Sequence, residues 1–228
     1  MIERRNTTPS SSGPQLGRVQ VDDSAPAGDL IKAKAALRTV MRALLKGITA
    51  EHRDRASVLA CQRLAEQEVW RKALALLCYA PRADELDISP LIESVLQGGK
   101  IVALPQFDPK TRAYRACQIT VPIAKVAVGT FGIREPGMHC ASLPLNQLDL
   151  ILVPGLAFDL AGHRLGRGRG FYDSLLTGIR GVKCGMGFDE QVRPHIPVAR
   201  HDVLLDCILT PTRWVDIGPR RFGDDLVR

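Results

Sequence analysis

Short apolar runs alternate with segments of helical periodicity over most of the chain. The periodicity predicts helices over residues 30–46, 50–70 and 90–97, with Asp29 as N-cap of the first and Ser89-Pro90 opening the third. Apolar runs predict buried strands at 73–79, 101–104, 113–120, 148–153, 182–187 and 204–209. Pro105 is expected to stop the second strand, and the third is expected at an edge. Buried strands alternating with helices indicate an α/β fold, with a largely parallel sheet and helices on both faces.

The first 28 residues differ from the rest of the chain. Serine and proline are frequent there and apolar periodicity is weak, so we expect a disordered leader over residues 1–28. Residues 29–228 are numerous enough to form a single domain with a full hydrophobic core.

The formal net charge of the 228-residue chain is +7. Such a charge suits an anionic ligand, whether nucleotide, polyglutamate, phosphate or nucleic acid, although an arginine-rich solvated surface is the simpler explanation of charge alone. Aromatic residues make up only 5% of the chain, which argues against a stacking platform for single-stranded nucleic acid. The sequence contains no apolar run long enough to span a membrane and no secretory signal.

Six cysteines are present, and none forms a C-x-x-C pair. Several stand in apolar runs, where cysteine behaves as a small core residue. We therefore expect neither a zinc site nor a disulfide framework, and a reducing, cytoplasmic location.

The strongest local signal is G-H-R-L-G-R-G-R-G-F-Y-D at residues 162–173, between a predicted buried strand and a helical segment. Glycines allow left-handed backbone and close approach of a ligand, and successive N–H groups can form a nest for an anion. A helix that starts directly afterwards adds free N–H groups, and three nearby arginines add bidentate donors. The sequence therefore predicts a phosphate-binding loop beyond the carboxyl end of a strand.

This loop is neither a Walker A motif nor a dinucleotide fingerprint, because it lacks Gly-Lys-Ser/Thr and the G-x-G-x-x-G spacing. The competing interpretations are an ordinary glycine-rich surface loop and an RG element that touches RNA. Three arginines and three glycines between a strand and a helix favour the phosphate interpretation.

Other polar residues are candidates with two open interpretations each. Asp173 is either a first-turn carboxylate that the helix dipole stabilises or a ligand of Mg²⁺ on a phosphate. Asp202 is a second candidate carboxylate, for which an ordinary position in a surface loop is the simpler interpretation. Lys34 falls in the apolar stripe of the first helix, one turn from Arg38, so it either extends to water or meets an anion. Glu85 either hydrogen-bonds a heterocycle or flanks the next helix. The histidines show no metal-ligand spacing, and no nucleophilic triad is visible.

Several ordered motifs together resemble the 5-formyltetrahydrofolate cyclo-ligase family. The resemblance covers most of the chain from Lys34 onward. The motifs are K-A-A-L-R at residues 34–38, Y-A-P-R-A-D-E-L-D at 79–87, L-P at 104–105, G-I-R-E-P at 132–136, L-I-L-V-P-G-L-A-F-D-L-A-G-H-R-L-G-R-G-R-G-F-Y-D at 150–173 and H-D-V-L-L-D at 201–206.

The resemblance implies a three-layer α/β fold like that of ribose-phosphate isomerase and CoA-transferase relatives. It also implies a cytoplasmic ligase, expected as a monomer, that uses ATP and Mg²⁺. ATP would phosphorylate the formyl oxygen of 5-formyltetrahydrofolate, with or without a polyglutamate tail, and N10 would close the ring to 5,10-methenyltetrahydrofolate. No nucleic acid or membrane partner is expected.

The same resemblance assigns roles residue by residue. The catalytic residues would be Arg167, Lys34 and Tyr172, and the metal ligands Asp173 and Asp202. Substrate would contact Ala80, Glu85, Arg167, Gly168, Arg169, Gly170 and Phe171. ATP would contact Lys34, Ala35, Ala36, Leu37, Arg38, Arg164, Leu165, Gly166, Arg167, Gly168, Arg169, Gly170, Phe171 and Tyr172.

The chain departs from the family pattern at two positions of the loop. Phe171 stands where a second tyrosine is frequent, and Arg169 where glycine or lysine is usual. Two alternatives remain: a paralogue of the same fold without cyclo-ligase activity, for instance in thiamine metabolism, and an RNA-binding module that uses the R-G-R-G loop.

Overall fold

The computed structural model describes residues 27–129 and 132–218. Five helices are formed in this part of the chain: α1 (Ala27–Gly47), α2 (Ala50–Ala65), α3 (Glu68–Lys72), α4 (Ser89–Gln97) and α5 (Phe171–Thr177). Its ten strands are β1 (Ala75–Leu77), β2 (Ile101–Asp108), β3 (Ala113–Ile119), β4 (Leu150–Pro154), β5 (Ala157–Asp159), β6 (Arg164–Leu165), β7 (Val182–Met186), β8 (Val192–Arg193), β9 (Cys207–Leu209) and β10 (Trp214–Asp216).

A seven-stranded sheet in the order β10-β9-β7-β4-β1-β2-β3 forms the centre of the molecule. The five inner strands are parallel to one another, and β3 and β10 pair antiparallel at the two edges. This arrangement confirms the prediction of a largely parallel sheet and of an edge position for β3. A smaller sheet in the order β6-β5-β8 was not predicted, because its strands are two or three residues long and carry no periodic signal.

Both faces of the central sheet are buried. Successive residues of a strand point to opposite faces, and Leu76 and Leu77 accordingly belong to two separate apolar clusters. The cluster that contains Leu76 includes side chains of α1, α2 and α4, and the cluster that contains Leu77 includes Leu175 and Leu176 of α5. Helices therefore cover both faces, as predicted, and the α/β architecture has three layers.

Several element boundaries differ from the prediction. Strand β2 runs through Pro105 to Asp108. Its pairing with β1 ends at Ala103, so the missing N–H of Pro105 costs the β1–β2 pair no hydrogen bond. The predicted second helix is divided into α2 and α3 by extended backbone at Gln67, which turns Val69 and Trp70 into the core. Helix α1 begins at Ala27, two residues before the predicted N-cap.

The prediction of a leader over residues 1–28 lies outside the described residues except for Ala27 and Gly28, which belong to α1. Within the described ranges, no helix is long and apolar enough to cross a membrane.

The expectation that no disulfide is present is wrong. Cys117 of β3 is bonded to Cys140, 23 residues further along the chain. The segment after Cys140 runs back along β3. The N–H of Gln118 donates to the carbonyl of Ala141, and the backbones of Cys117 and Ser142 form an isolated antiparallel β-bridge. This backbone pairing brings the two cysteines together. The disulfide could not be predicted from the sequence, because the cysteines are not part of a short spacing motif. Cys61, Cys78, Cys184 and Cys207 are free thiols.

Candidate active site

A cavity of about 1000 Å³ lies at the carboxyl edge of the central sheet. Five residues at the ends of three strands line the cavity. Tyr79 and Ala80 follow β1, and Pro105 lies in the part of β2 that extends beyond β1. Pro154 ends β4, and Gly155 comes directly after it. Ligands of open α/β sheets bind beyond the carboxyl ends of the strands. The cavity is therefore in the position that the sequence predicts for the ligand.

Most of the predicted site residues line this one cavity. They are Lys34, Arg38, Ala80, Glu85, Arg164, Leu165, Gly166, Arg167, Gly168, Arg169, Gly170, Tyr172, Asp173 and Asp202. Three neighbours in α1 do not: Ala35 and Ala36 are exposed, and Leu37 packs against the core. Phe171 begins α5, and its side chain lies outside what the structure describes.

The glycine-rich loop connects β6 to α5 and requires glycine at two positions. Gly168 has φ +102° and Gly170, the residue before α5, has φ +69°, both in the left-handed region that other residues rarely adopt. Two arginines of α1 hold the loop: Arg38 donates from Nε to the carbonyl of Gly166 at 2.9 Å, and Arg42 donates to the carbonyl of Arg167 at 3.2 Å. The loop is therefore fixed against α1 by its own carbonyl groups.

Arg164 is fixed beneath this loop, with its side chain only 4% exposed. Its guanidinium donates to Oδ1 of Asp173 at 2.7 Å and to the carbonyl of Pro154 at 3.2 Å, and lies 5.6 Å from the ring centre of Tyr172. Its buried Nε has no partner among the described residues. Burial and the nearby Glu85 raise the pKa of Tyr172, with Arg164 opposing them, so Tyr172 stays a neutral hydroxyl donor.

Arg167 joins two carboxylates that follow β1. It makes a bidentate contact with Asp84, at 3.0 and 2.8 Å, and a bond of 2.9 Å with Glu85. Burial raises the pKa of Glu85 although Arg167 opposes the shift, and Glu85 also accepts from the N–H of Arg82. For Asp84, burial is outweighed by the hydrogen bonds and charge of Arg167, which lower its pKa.

Lys34 is paired inside the cavity. Its ammonium group donates to Oδ2 of Asp202, and the side chains are 13% and 15% exposed. The same carboxylate oxygen accepts from the N–H of Ala199 at 2.7 Å. The lysine in the apolar stripe of α1 thus meets a carboxylate rather than water, and the structure brings the predicted helix and the predicted metal ligand together.

Positive charge dominates the cavity wall. Burial and the adjacent Arg42 both lower the pKa of Arg38, which shows how closely the cations are crowded. Crowded cations in a partly enclosed site attract anions. Among the described lining residues, eight are cationic and four are carboxylates: Lys34, Arg38, Arg42, Arg82, Arg134, Arg164, Arg167 and Arg169 against Glu85, Glu135, Asp173 and Asp202.

Sequence reasoning missed several residues of this wall. Arg42 follows Arg38 by one helical turn, so the four-residue spacing of Lys34, Arg38 and Arg42 was a signal that could have found it. Asp84 does not line the cavity but binds the lining residue Arg167, and it stands directly beside Glu85 in the same motif. Tyr114 comes from the antiparallel edge strand and had no such signal.

The sequence matches the 5-formyltetrahydrofolate cyclo-ligase family over residues 30–211, which include every cavity residue described above. The chain belongs to this family. Membership makes the protein an ATP-dependent ligase of folate metabolism, and a cation-lined cavity is consistent with that.

Individual relatives agree with this assignment. The 5-formyltetrahydrofolate cyclo-ligase of Mus musculus is 30% identical over 188 residues, covering 78% of this chain and 93% of its own. That of Haemophilus influenzae is 31% identical over 177 residues, covering 76% and 95%. The solved 5,10-methenyltetrahydrofolate synthetase of Aquifex aeolicus is 31% identical, with a TM-score of 0.74 and coverage of 82% and 94%. The predicted fold and family are thereby confirmed.

Proposed function

We propose that this protein converts 5-formyltetrahydrofolate to 5,10-methenyltetrahydrofolate at the expense of ATP, in the cavity at the carboxyl edge of the sheet. The observation that carries the proposal is the glycine-rich loop between β6 and α5, held against the cationic face of α1 and backed by Arg164. A triphosphate needs backbone donors and guanidinium groups in one place, and the proposal is supported by the arginines that line this wall beside the glycine-rich loop.

The reaction that we propose has two displacements. The formyl oxygen attacks the γ-phosphorus of ATP, and ADP leaves. N10 of the folate then attacks the activated carbon and gives up its proton, the carbon–oxygen bond breaks, and phosphate leaves as methenyltetrahydrofolate forms. Both nucleophiles belong to the substrate, so the protein has to position the reactants and neutralise charge.

Each part of the wall has a role in that scheme. Lys34, Arg38 and Arg164 face the phosphates, where permanent positive charge stabilises the transferring group. Tyr172, kept neutral, donates a hydrogen bond at the junction of the two substrates. Arg167, bound to Asp84 and Glu85, orients those carboxylates toward the folate, with Glu85 as acceptor for the pterin.

Asp173 and Asp202 fit a magnesium ion, which typically takes one or two carboxylates plus phosphate oxygens. Asp173 accepts a hydrogen bond from Arg164 at Oδ1, and Asp202 accepts from Lys34 and the N–H of Ala199 at Oδ2. Mg²⁺ held there would supply positive charge that neutralises the phosphates. The described residues contain no cluster of three or more histidine, cysteine or acidic side chains of the kind that holds a metal alone, so the phosphates have to complete this site.

The remaining contacts stay predictions: the ATP contacts of Ala35, Ala36 and Leu37 through their backbone, and the folate contacts of Ala80 and Phe171. We also keep a monomer in the cytoplasm and a polyglutamylated substrate as parts of the proposal. No observation favours the thiamine-related paralogue or the RNA-binding module over it.

The decisive assay follows methenyltetrahydrofolate absorbance when purified protein receives 5-formyltetrahydrofolate, ATP and Mg²⁺. We expect product only when all three are present. Absence of ATP-dependent product from protein that is folded would favour the paralogue without cyclo-ligase activity. A salt-dependent mobility shift with an oligonucleotide would instead support the RNA-binding alternative.

A further inference from the structure

Glu135 is the carboxylate of the cavity wall to which the scheme above gives no role. It lies in the G-I-R-E-P motif at residues 132–136, and the residue is only 7% exposed although it lines the cavity. Its Oε1 is buried and has no hydrogen-bond partner among the described residues. A buried polar atom without a partner is costly and uncommon in proteins, so this one calls for a ligand.

The segment around Glu135 holds the carboxylate firmly. The N–H of Glu135 donates to the carbonyl of Ala127 at 2.9 Å, and Val128 forms an antiparallel bridge with Arg134. A Cβ on Gly129 would come within 2.7 Å of Cδ and Oε2 of Glu135, so glycine is needed there for the side chain to fit. Burial raises the pKa of Glu135, and a hydrogen bond from the backbone N–H of Phe107 in β2 opposes the shift.

The neighbouring groups do not neutralise Oε1. Arg134, the adjacent cation, directs its guanidinium to the carbonyls of Ala124 at 2.8 Å and Val126 at 2.7 Å. Burial raises the pKa of the Tyr114 hydroxyl in β3, and the charge of Glu135 adds to the shift, so the two side chains lie near each other. Glu135 is therefore an acceptor that the described residues leave unsatisfied.

The chemistry of Oε1 restricts its ligand. A carboxylate oxygen accepts hydrogen bonds and repels phosphate, so the ligand for Glu135 is not the triphosphate. Of the two substrates, the reduced folate carries several N–H donors on its ring system and bridge. The proposed scheme assigns Lys34, Arg38 and Arg164 to the triphosphate. Glu135 instead belongs to the part of the wall formed by β2, β3 and the segment that follows them.

We propose that Glu135 accepts a hydrogen bond from an N–H group of the reduced folate and thereby positions the substrate for phosphoryl transfer. The inference rests on the proposed function, since it takes its ligand from that reaction. Glu135 contributes to folate affinity and orientation and leaves ATP binding to the opposite wall. Its orphaned oxygen is then satisfied only in the complex, as expected of a group arranged for binding rather than for folding.

The test is Glu135→Gln, which keeps the shape of the side chain. The amide oxygen of the variant can still accept a hydrogen bond from the N–H of Phe107. Its NH₂ group then takes the place of Oε1 and cannot accept a hydrogen bond from an N–H group of the folate. We expect the affinity for 5-formyltetrahydrofolate, measured by calorimetry without ATP, to fall by about tenfold or more, with a matching rise in KM. ATP affinity should not change, and the melting temperature should stay equal or rise, because a buried charge has been removed. Glu51→Gln, on the exposed surface of α2, is the matched control.

Each outcome decides the proposal. Folate affinity within twofold of wild type overturns it, and so does a variant that loses stability and ATP affinity together, since that marks a merely structural residue. If wild type binds folate without turnover and the variant does not bind, the proposed reaction fails but the role of Glu135 stands. If wild type binds no folate at all, both fail.

Discussion

Replacing Arg167 with alanine removes the cation that joins Asp84 and Glu85. The Glu85 side chain is only 7% exposed, so removing its partner Arg167 resembles the breaking of a buried ion pair, which costs about 3–5 kcal/mol. The Asp84 contact is 30% exposed and worth less, about 1 kcal/mol or below. Because Arg167 itself is 29% exposed, we take the lower end, about 3 kcal/mol in all. For a domain of this size the melting temperature should fall by about 6–12 °C.

The loss should depend on pH in a defined direction. Burial already raises the pKa of Glu85 and Arg167 opposes that shift, so the variant's Glu85 should have a still higher pKa. A carboxyl group with a raised pKa in the folded state makes that state less stable as the pH rises through this pKa. The destabilisation disappears as the pH falls and the group becomes protonated. The paired Asp84, whose pKa is lowered in wild type, stabilises above its ordinary value near 3.8 and loses this effect in acid. The difference between wild type and variant should therefore be largest at neutral pH and shrink toward pH 4.

Urea unfolding at neutral and acidic pH measures the free energy of unfolding of each protein. Arg180→Ala, an exposed arginine just after α5, is the control and should change stability little. Adding Asp84→Asn to Arg167→Ala should recover part of the loss, because one unpaired carboxylate disappears. An Arg167→Ala protein as stable as wild type at pH 7, or destabilised equally at all pH values, would refute the reasoning. Unchanged ATP binding together with full turnover would also remove Arg167 from the site.

Three further outcomes are expected. Arg38→Met should weaken ATP binding at least tenfold while folate binding holds, because it removes both the proposed phosphate donor and the bond to the Gly166 carbonyl; equal loss of both ligands would contradict this. Gly168→Ala should cost about 1–3 kcal/mol of stability and reduce ATP affinity, since φ is +102°; thermal melts would show no change if the loop tolerated a side chain. Cys140→Ser should cost about 3 kcal/mol in denaturant through the lost cross-link to Cys117, and reductant should bring wild type to the same midpoint; a reductant-insensitive wild type would argue against the bond.

The order of elements was readable from the sequence because both faces of the sheet are buried. That burial turns each inner strand into a continuous apolar run, as at residues 150–153. Strand ends were less readable: Pro105 lies in β2 because its neighbour β1 is short, a fact of the partner strand rather than of the proline.

The site was predicted where one motif holds its residues and missed where distant segments meet. The glycine-rich loop was found because its glycines and arginines are contiguous. The partner of Lys34 is Asp202, 168 residues away, and nothing local indicates that pairing. The disulfide between Cys117 and Cys140 depends in the same way on how a segment returns along β3. The unsatisfied oxygen of Glu135 is a property of packing and has no counterpart in the sequence.

The most direct test of the central claim is the fate of the formyl oxygen. 5-Formyltetrahydrofolate labelled with ¹⁸O in its formyl group would be turned over with ATP and Mg²⁺, and the released phosphate examined by mass spectrometry. The proposed reaction predicts one labelled oxygen in each phosphate, in step with the methenyltetrahydrofolate formed. Label found in water instead of phosphate, or no ATP-dependent product, would contradict it.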